Sequence, residues 1–368
     1  MERYREAAIA FCSSRYLPFC FASKRKIILM NVFTLTRALV DLDSTTGREA
    51  PIADYLFAHL RALATARNGK IERMLAAQGR DNILITFGDP IVTLSTHMDT
   101  VPPFFPSRED NSHIYGRGAC DAKGIIAAMI AAAEMLLDEN IRNFALLFVV
   151  GEERDSAGAR AAANAPRGSQ FLINGEPTEN LLALGSKGAL RYELVARGKL
   201  AHSAYPELGH SAIHALLDVL HDIRNVPLSH DAILGASTLN VGTISGGRAP
   251  NVIADQAQAE IMFRIVGDPS FLRNEVQRLS VNRVEAREVH YSAAVHLQAL
   301  DGLPTTVVAF TTDIPIFNGT WGRPLLIGPG SIHVAHTAEE RIAKKDLTDA
   351  VNIYARMVRQ LLTGGVPS

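Results

Sequence analysis

Hydrophobic positions along this chain fall into two textures. From about residue 33 to residue 187, and again after about residue 293, short apolar runs alternate with longer amphipathic stretches. VFTLTRALVDLDS, REAPIADYLFAHLRALA and the Ala-rich GIIAAMIAAAEMLLDEN carry helical periodicity, and NILITFG, IVTLST, FALLFVV and FLING are apolar, β-branched runs bounded by turn residues, which predicts strands. FALLFVV has the length and content of a strand buried on both faces. PLLIGPG predicts a further strand and turn, and AKKDLTDAVNIYARMVRQLL a closing helix. Such alternation points to an open α/β sheet. Between residues 188 and 293 the texture changes: ALRYELVARG alternates with period two, HSAIHALLDVLHDI reads as a helix, and STLNVGTISGG and ADQAQAEIMFRIVG read as strands. Strand, helix, strand, strand predicts a small α+β domain inserted into the first. The expected division is therefore 31–187 with 294–368, and 188–293.

Ligands of open α/β sheets sit beyond the carboxyl ends of the strands. His97 and Asp99 follow IVTLS, Asp121 lies in the glycine-rich turn GRGACDAKG, Glu152 and Glu153 follow FALLFVVG, Glu176 follows FLING, and His336 lies in GPGSIHVAHTAEE after PLLI. Each has a plainer reading alone: a loop histidine, an acid pair at a helix start, an N-cap aspartate. Together, uncompensated carboxylates crowding one cleft would repel and raise one another's pKa. Cations remove that conflict. Two imidazoles and three carboxylates without thiolate suit two divalent ions such as Zn²⁺, Co²⁺ or Mn²⁺, about 3.5–4 Å apart if one carboxylate bridges. A further carboxylate is then needed as a base.

Composition narrows the classes. The chain has 368 residues, 47% hydrophobic and 20% charged, with net charge −1. Nothing marks a nucleic-acid surface. Cys12, Cys20 and Cys120 are too scattered for a disulfide framework or a C-x-x-C site, so a cytoplasmic setting is expected. Residues 1–30 make a poor signal peptide, because acid precedes the apolar part, and are too interrupted to span a membrane. They are expected to be an amphipathic extension, or to follow from an upstream start codon with Met30 near the true start.

HMDTVP, GRGACDAKG, VVGEERDSAG, INGEPT, GKLAHSAYP, GGRAPNVIADQAQAEIMFR and GPGSIHVAHTAEE, in that order, resemble the M20 metallohydrolases, which include acetylornithine deacetylase, succinyl-diaminopimelate desuccinylase, aminoacylase and glutamate carboxypeptidase. The resemblance covers roughly residues 33–363. It implies a zinc-peptidase-like catalytic α/β domain with an inserted α+β lid through which two copies dimerise. It implies His97 and Glu176 as ligands of one metal, Asp121 as the bridge, and Glu153 and His336 as ligands of the second. Glu152 would be the general base, and Asp99 would steady the His97 imidazole from behind. His202 would reach the partner's site to stabilise an oxyanion. Asn251, Arg264, Gly328 and Gly330 fall where the family contacts substrate, the glycines letting backbone come close. Cys120 is expected to pack only. One departure stands out: where the family carries a further helix after the lid, PTTVVAFTTD follows almost at once, with Asp313 matching a family acid.

The expected reaction is hydrolysis of an N-acyl amide on an amino acid with two Zn²⁺ or Co²⁺ ions, of the acetylornithine deacetylase type; overall length and the GEPT and GSKG segments motivate that choice. Desuccinylase, acetylcitrulline deacetylase, and carboxypeptidase or dipeptidase activities are alternatives. A binder of amino-acid derivatives that has lost catalysis is the non-enzymatic one, disfavoured because a binder has no use for Glu152.

Overall fold

The computed structural model describes residues 31–364; the expectations for residues 1–30 lie outside the described residues. Helix α1 (Val32–Val40) opens on Asn31, whose side-chain oxygen accepts from the N–H groups of Phe33 and Thr34 at 2.8 and 3.1 Å. Helix α2 (Ala50–Arg67) carries Pro in its first turn and stops at Asn68, which is left-handed at φ 53°. Strands β1 (Lys70–Ala77), β2 (Arg80–Phe87) and β3 (Val92–His97) lead to helix α3 (Lys123–Asp138). Strand β4 (Phe144–Val149), helix α4 (Ala157–Ala163) and strand β5 (Phe171–Asn174) follow. After the second domain, strand β10 (Arg323–Leu326) and helix α7 (Lys344–Leu362) close the fold.

The six strands form one sheet in the order β1–β2–β4–β3–β5–β10. β4, β3, β5 and β10 are parallel, whereas β1 and β2 pair antiparallel at one edge. Side-chain alternation assigns the layers. Ile83, Ile85 and Phe87 join α1, α2, α3 and α7 in the larger core, while Leu84, Leu147 and Leu172 join Ala159, Ala162 and Trp321 in a smaller one on the opposite face. Every residue of β3 and β4 is buried, which is why FALLFVV reads as an unbroken apolar run, while β3 also buries Thr93, Ser95 and Thr96.

The second sheet has the order β7–β8–β6–β9, built from β6 (Gly188–Arg197), β7 (Thr238–Gly246), β8 (Gln256–Ile265) and β9 (Glu285–Ser292), all neighbours antiparallel. Helices α5 (Ala212–Arg224) and α6 (Ser270–Ser280) cover one face. Leu190, Tyr192, Leu194, Leu216, Ile261 and Phe263 form its own core. Helix α6 and strand β9 add to the strand, helix, strand, strand pattern expected from the sequence. In the α6 segment charge hides the apolar stripe of Leu272 and Val276, and most of β9 is exposed. At the junction Leu182–Ser186 pairs with Val295–His296 and with Thr305–Val308. The PTTVVAFTTD segment is thus a strand running into the one-turn helix Ile314–Phe317.

Candidate metal centre

The predicted ligands arrive on loops from adjacent strands. β3 ends on His97, the loop after β4 carries Glu152 and Glu153, and the loop after β5 carries Glu176; these three strands are neighbours in the sheet. Asp121 occupies the turn just before α3, and His336 lies on the loop between β10 and α7. His97, Asp121 and Glu153 offer ligand atoms all within 4.8 Å of one another. Asp121 faces both histidines: its Oδ1 lies 2.9 Å from His97 Nε2 and its Oδ2 3.2 Å from His336 Nε2. His336 Nε2 is also 3.0 Å from Glu153 Oε1. The side-chain oxygens of Asp121 therefore point in two directions, as a bridging group requires. The peptide bond between Asp121 and Ala122 is cis.

Asp99 does more than stand behind His97. The imidazole Nδ1 lies 3.0 Å from the Asp99 backbone carbonyl oxygen and 3.6 Å from its carboxylate, so the direct hydrogen bond on the ring comes from the main chain. The carboxylate instead accepts from the Thr46 hydroxyl at 2.8 Å and from the N–H groups of Glu152 and Glu153 at 3.0 and 3.2 Å. One buried side chain thereby ties the His97 strand to the turn bearing both glutamates. Sequence spacing exposed the 97/99 pair but not this reach across to β4.

Burial dominates the electrostatics. Glu152 and Glu176 are pushed well above the usual carboxylate range, first by burial and, for Glu152, next by the Glu176 charge. Glu153 is raised by burial and then by Asp121. Burial opposes ionisation of Asp121 as well, but the hydrogen bonds from His336 and His97 outweigh it and hold this carboxyl below its ordinary range. Those same contacts raise His336 to about 10, Asp121 first and Glu153 second. Asp313, buried near the cluster, is pushed up to about 6 by burial, with the Ser156 hydroxyl acting the other way. Glu176 Oε1 is buried with no hydrogen-bond partner among the described residues. An orphaned acceptor of this kind costs free energy unless something electropositive meets it. With two imidazoles, three carboxylates and no thiolate, the donor set fits two divalent cations.

The remaining predicted residues divide. Arg264 on β8 lines a cleft of about 480 Å³ beside the turn that follows Glu176, together with Thr178, Leu181, Val308, Phe310 and Ile332. It is half-buried, and it forms no ion pair among the described residues. His202 and Asn251 lie next to each other on the insert, not in the cluster: His202 bridges to Val252, the Asn251 carbonyl accepts from Ser203 N–H at 3.0 Å, and the exposed His202 ring accepts from Ala204 N–H. The two glycines prove to be crowded by the protein itself. A Cβ at Gly328 would sit 2.5 Å from the Glu176 carbonyl oxygen, and one at Gly330 (φ 81°) would sit 2.6 Å from Cys120 Sγ. Loop-on-loop packing requires glycine at both positions, and at Gly330 it gives Cys120 its packing partner. Sequence reading missed Arg117 and Glu340, which the fold buries beside Asp121. The only sequence signal was the position of each in a motif already quoted.

Comparison with known proteins agrees with this geometry. The sequence profile of Peptidase family M20/M25/M40 matches residues 93–360. A peptidase M20 domain-containing protein of Schizosaccharomyces pombe is 36% identical over 89% of this chain and 84% of its own length. A probable carboxypeptidase of Aspergillus flavus is 35% identical over 93% and 90%. A Staphylococcus aureus tripeptidase has the same fold at 20% identity, with TM-score 0.75 over 90% of this chain and 98% of its own. So does a Bacillus subtilis protein described as a dinuclear metal-binding peptidase of family M20, at 16% identity and TM-score 0.63 over 90% and 97%. No helix among the described residues is long and apolar enough to cross a membrane. A profile match across most of the chain, relatives above 30% identity along nearly its full length, and a convergent acid–imidazole cluster have one common explanation: the chain belongs to the M20/M25/M40 peptidase family and is a metal-dependent hydrolase of amide or peptide bonds.

Proposed function

We propose that this hydrolase is a two-metal carboxypeptidase or dipeptidase, cleaving the amide bond next to a residue with a free α-carboxylate. The observation that carries this reading is Arg264: a half-buried guanidinium without an acidic partner, in the cleft adjoining Glu176. Arginine suits a bidentate hold on a carboxylate. The fungal relatives named as probable carboxypeptidases support peptides as substrates. The acetylornithine preference drawn from length and the GEPT and GSKG segments has no comparable support.

His97 and Glu176 would hold one cation, Glu153 and His336 the other, and Asp121 both; Zn²⁺ and Co²⁺ suit these donors. When bound, such a pair polarises the scissile carbonyl and acidifies the attacking water. Glu152 takes the water's proton and returns it to the leaving amine. Its placement next to Glu153, with both N–H groups on Asp99, fixes it relative to the ligand shell. Arg264 anchors the substrate carboxylate.

Two copies are proposed to pair through the insert. β7 is an edge strand, and the outer face beside it, with α5, exposes Leu217 and Ile244 around a shallow cavity of about 710 Å³. Pairing would let His202 of one copy serve the other's oxyanion.

Purified protein loaded with Zn²⁺ or Co²⁺ should be offered dipeptides and longer peptides with free or amidated carboxyl termini, alongside N-acetylornithine, N-acetylcitrulline and succinyl-diaminopimelate. Release of carboxyl-terminal residues from free but not amidated peptides is expected. Turnover of the acyl amino acids with no peptide cleaved would return the assignment to the deacylases.

A further inference from the structure

We propose that the buried Arg117–Glu340 ion pair is the positioning device for Asp121, and that capture of the second of two cations depends on it. The inference rests on the two-cation reading of the site. Asp121 belongs to no strand or helix; it occupies the turn 116–122 that leads into α3. One carboxylate oxygen gathers three of that turn's N–H groups. Glu340 Oε1 accepts from the N–H groups of Gly118, Cys120 and Asp121 at 2.9, 3.2 and 3.1 Å. The other oxygen, Oε2, accepts from Arg117 Nη1 at 2.5 Å.

Arg117 carries the restraint further. Its Nε donates to the Pro103 carbonyl at 3.2 Å, its backbone N–H donates to the Phe105 carbonyl at 3.2 Å, and its guanidinium lies 4.9 Å from the centre of the Phe105 ring. Pro103 and Phe105 sit on the loop that leaves β3 after His97, and Glu340 is on the loop that carries His336. The Gly116 N–H closes the circle on the Glu340 carbonyl at 3.1 Å. Loops serving the two proposed cation sites thus meet at a single pair, each member only 1% exposed.

The chemistry is specific to a carboxylate. Glu340 receives donors on both oxygens, four in all. An amide of the same shape has one oxygen and one N–H₂ group, so it must turn a donor toward either Arg117 or the backbone trio. The turn would then settle elsewhere, and Asp121 could no longer offer one oxygen to each side. Groups that orient metal ligands in this indirect way typically change affinity or activity by about 10- to 100-fold.

The test is cation binding, measured with Zn²⁺ alone by chelator competition, on wild type, E340Q, R117M and the double variant, with kcat and KM from the peptide assay beside it. Wild type should hold two cations. E340Q should weaken the second by about 10- to 100-fold and lower kcat with KM little changed. R117M should do the same, and the double variant should be no worse than either single one, because the two act as a unit. Wild-type affinity for two cations in E340Q, or additive losses in the double variant, would overturn the inference. If E340Q does not fold, R117K decides: it keeps the charge and loses the fork, so an intermediate loss is expected and unchanged affinity overturns the proposal. Failure of wild type to bind a second cation would defeat the two-cation reading itself, a result separable from intact binding in the variants.

Discussion

The two sheets of this protein treat polar residues in opposite ways. In the larger sheet β3 and β4 are buried from end to end, and charge is confined to the loops at their carboxyl ends, where Asp99 and Glu176 are buried and Glu152 and Glu153 half-buried. In the smaller sheet burial alternates along β6 and β8, and charged residues such as Arg191, Glu193 and Glu260 sit on the uncovered face. The difference separates stability from function. A surface charge on the small sheet costs little and is worth little, whereas each carboxylate at the large sheet's edge is desolvated at a cost that only its chemistry offsets. Arg264 is where the two meet: on the polar face of the small sheet, it lines the cleft of the large one.

The sharpest way to break this contrast is at Glu152. Glu152→Gln should lower kcat by about 10²–10⁴-fold while metal content, measured by elemental analysis, stays at the wild-type level. Turnover unchanged would remove Glu152 as the base. The small sheet should respond only in stability. Phe263→Ala empties its core and should cost about 3–5 kcal/mol in denaturant unfolding, with Zn²⁺ affinity of the folded fraction preserved. Arg264→Ala should bridge the two behaviours. KM for peptides with a free carboxylate should rise by the equivalent of about 1.5–3 kcal/mol, folding should be intact, and amidated peptides should be indifferent to the change.

The smallest effect expected lies far from the chemistry. Glu134 on α3 is raised to about 7, first by burial and then by Asp138. Its folded pKa exceeds the unfolded value near 4.5, so the folded state holds the proton longer. Stability is therefore fully present below about 4.5 and declines as pH rises toward 7, by up to about 3 kcal/mol. Glu134→Gln should flatten that slope, so its Tm gain over wild type should be larger at pH 8 than at pH 5. An equal gain at both would remove burial as the cause.

How far the sequence disclosed these features follows from the same contrast. Buried runs such as FALLFVV announce their strands, and the acids that follow them stand out because apolar residues surround them. The sequence did not show β1, whose mixed charged and apolar residues are mostly exposed or half-buried, nor β2 running antiparallel to its neighbours, since an apolar run carries no direction. Nor did it show α6 or β9, whose exposed residues blur the period. Within the site, residue types marked His97, Asp121, Glu153 and His336, but hydrogen bonds reaching across the fold were invisible: Asp99 to the main chain of Glu152 and Glu153, and Glu340 to the turn of Asp121. Nor did it show the neighbouring loops that press on Gly328 and Gly330.

The link from Asp99 to the amides of Glu152 and Glu153 has a consequence for anyone redesigning this enzyme. In the proposed mechanism cation grip and proton shuttling are geared through one carboxylate, so the base would not be retuned by moving its loop without also dragging a ligand. New specificity is better sought in the walls around Arg264, which can be remodelled while that gearing stays untouched.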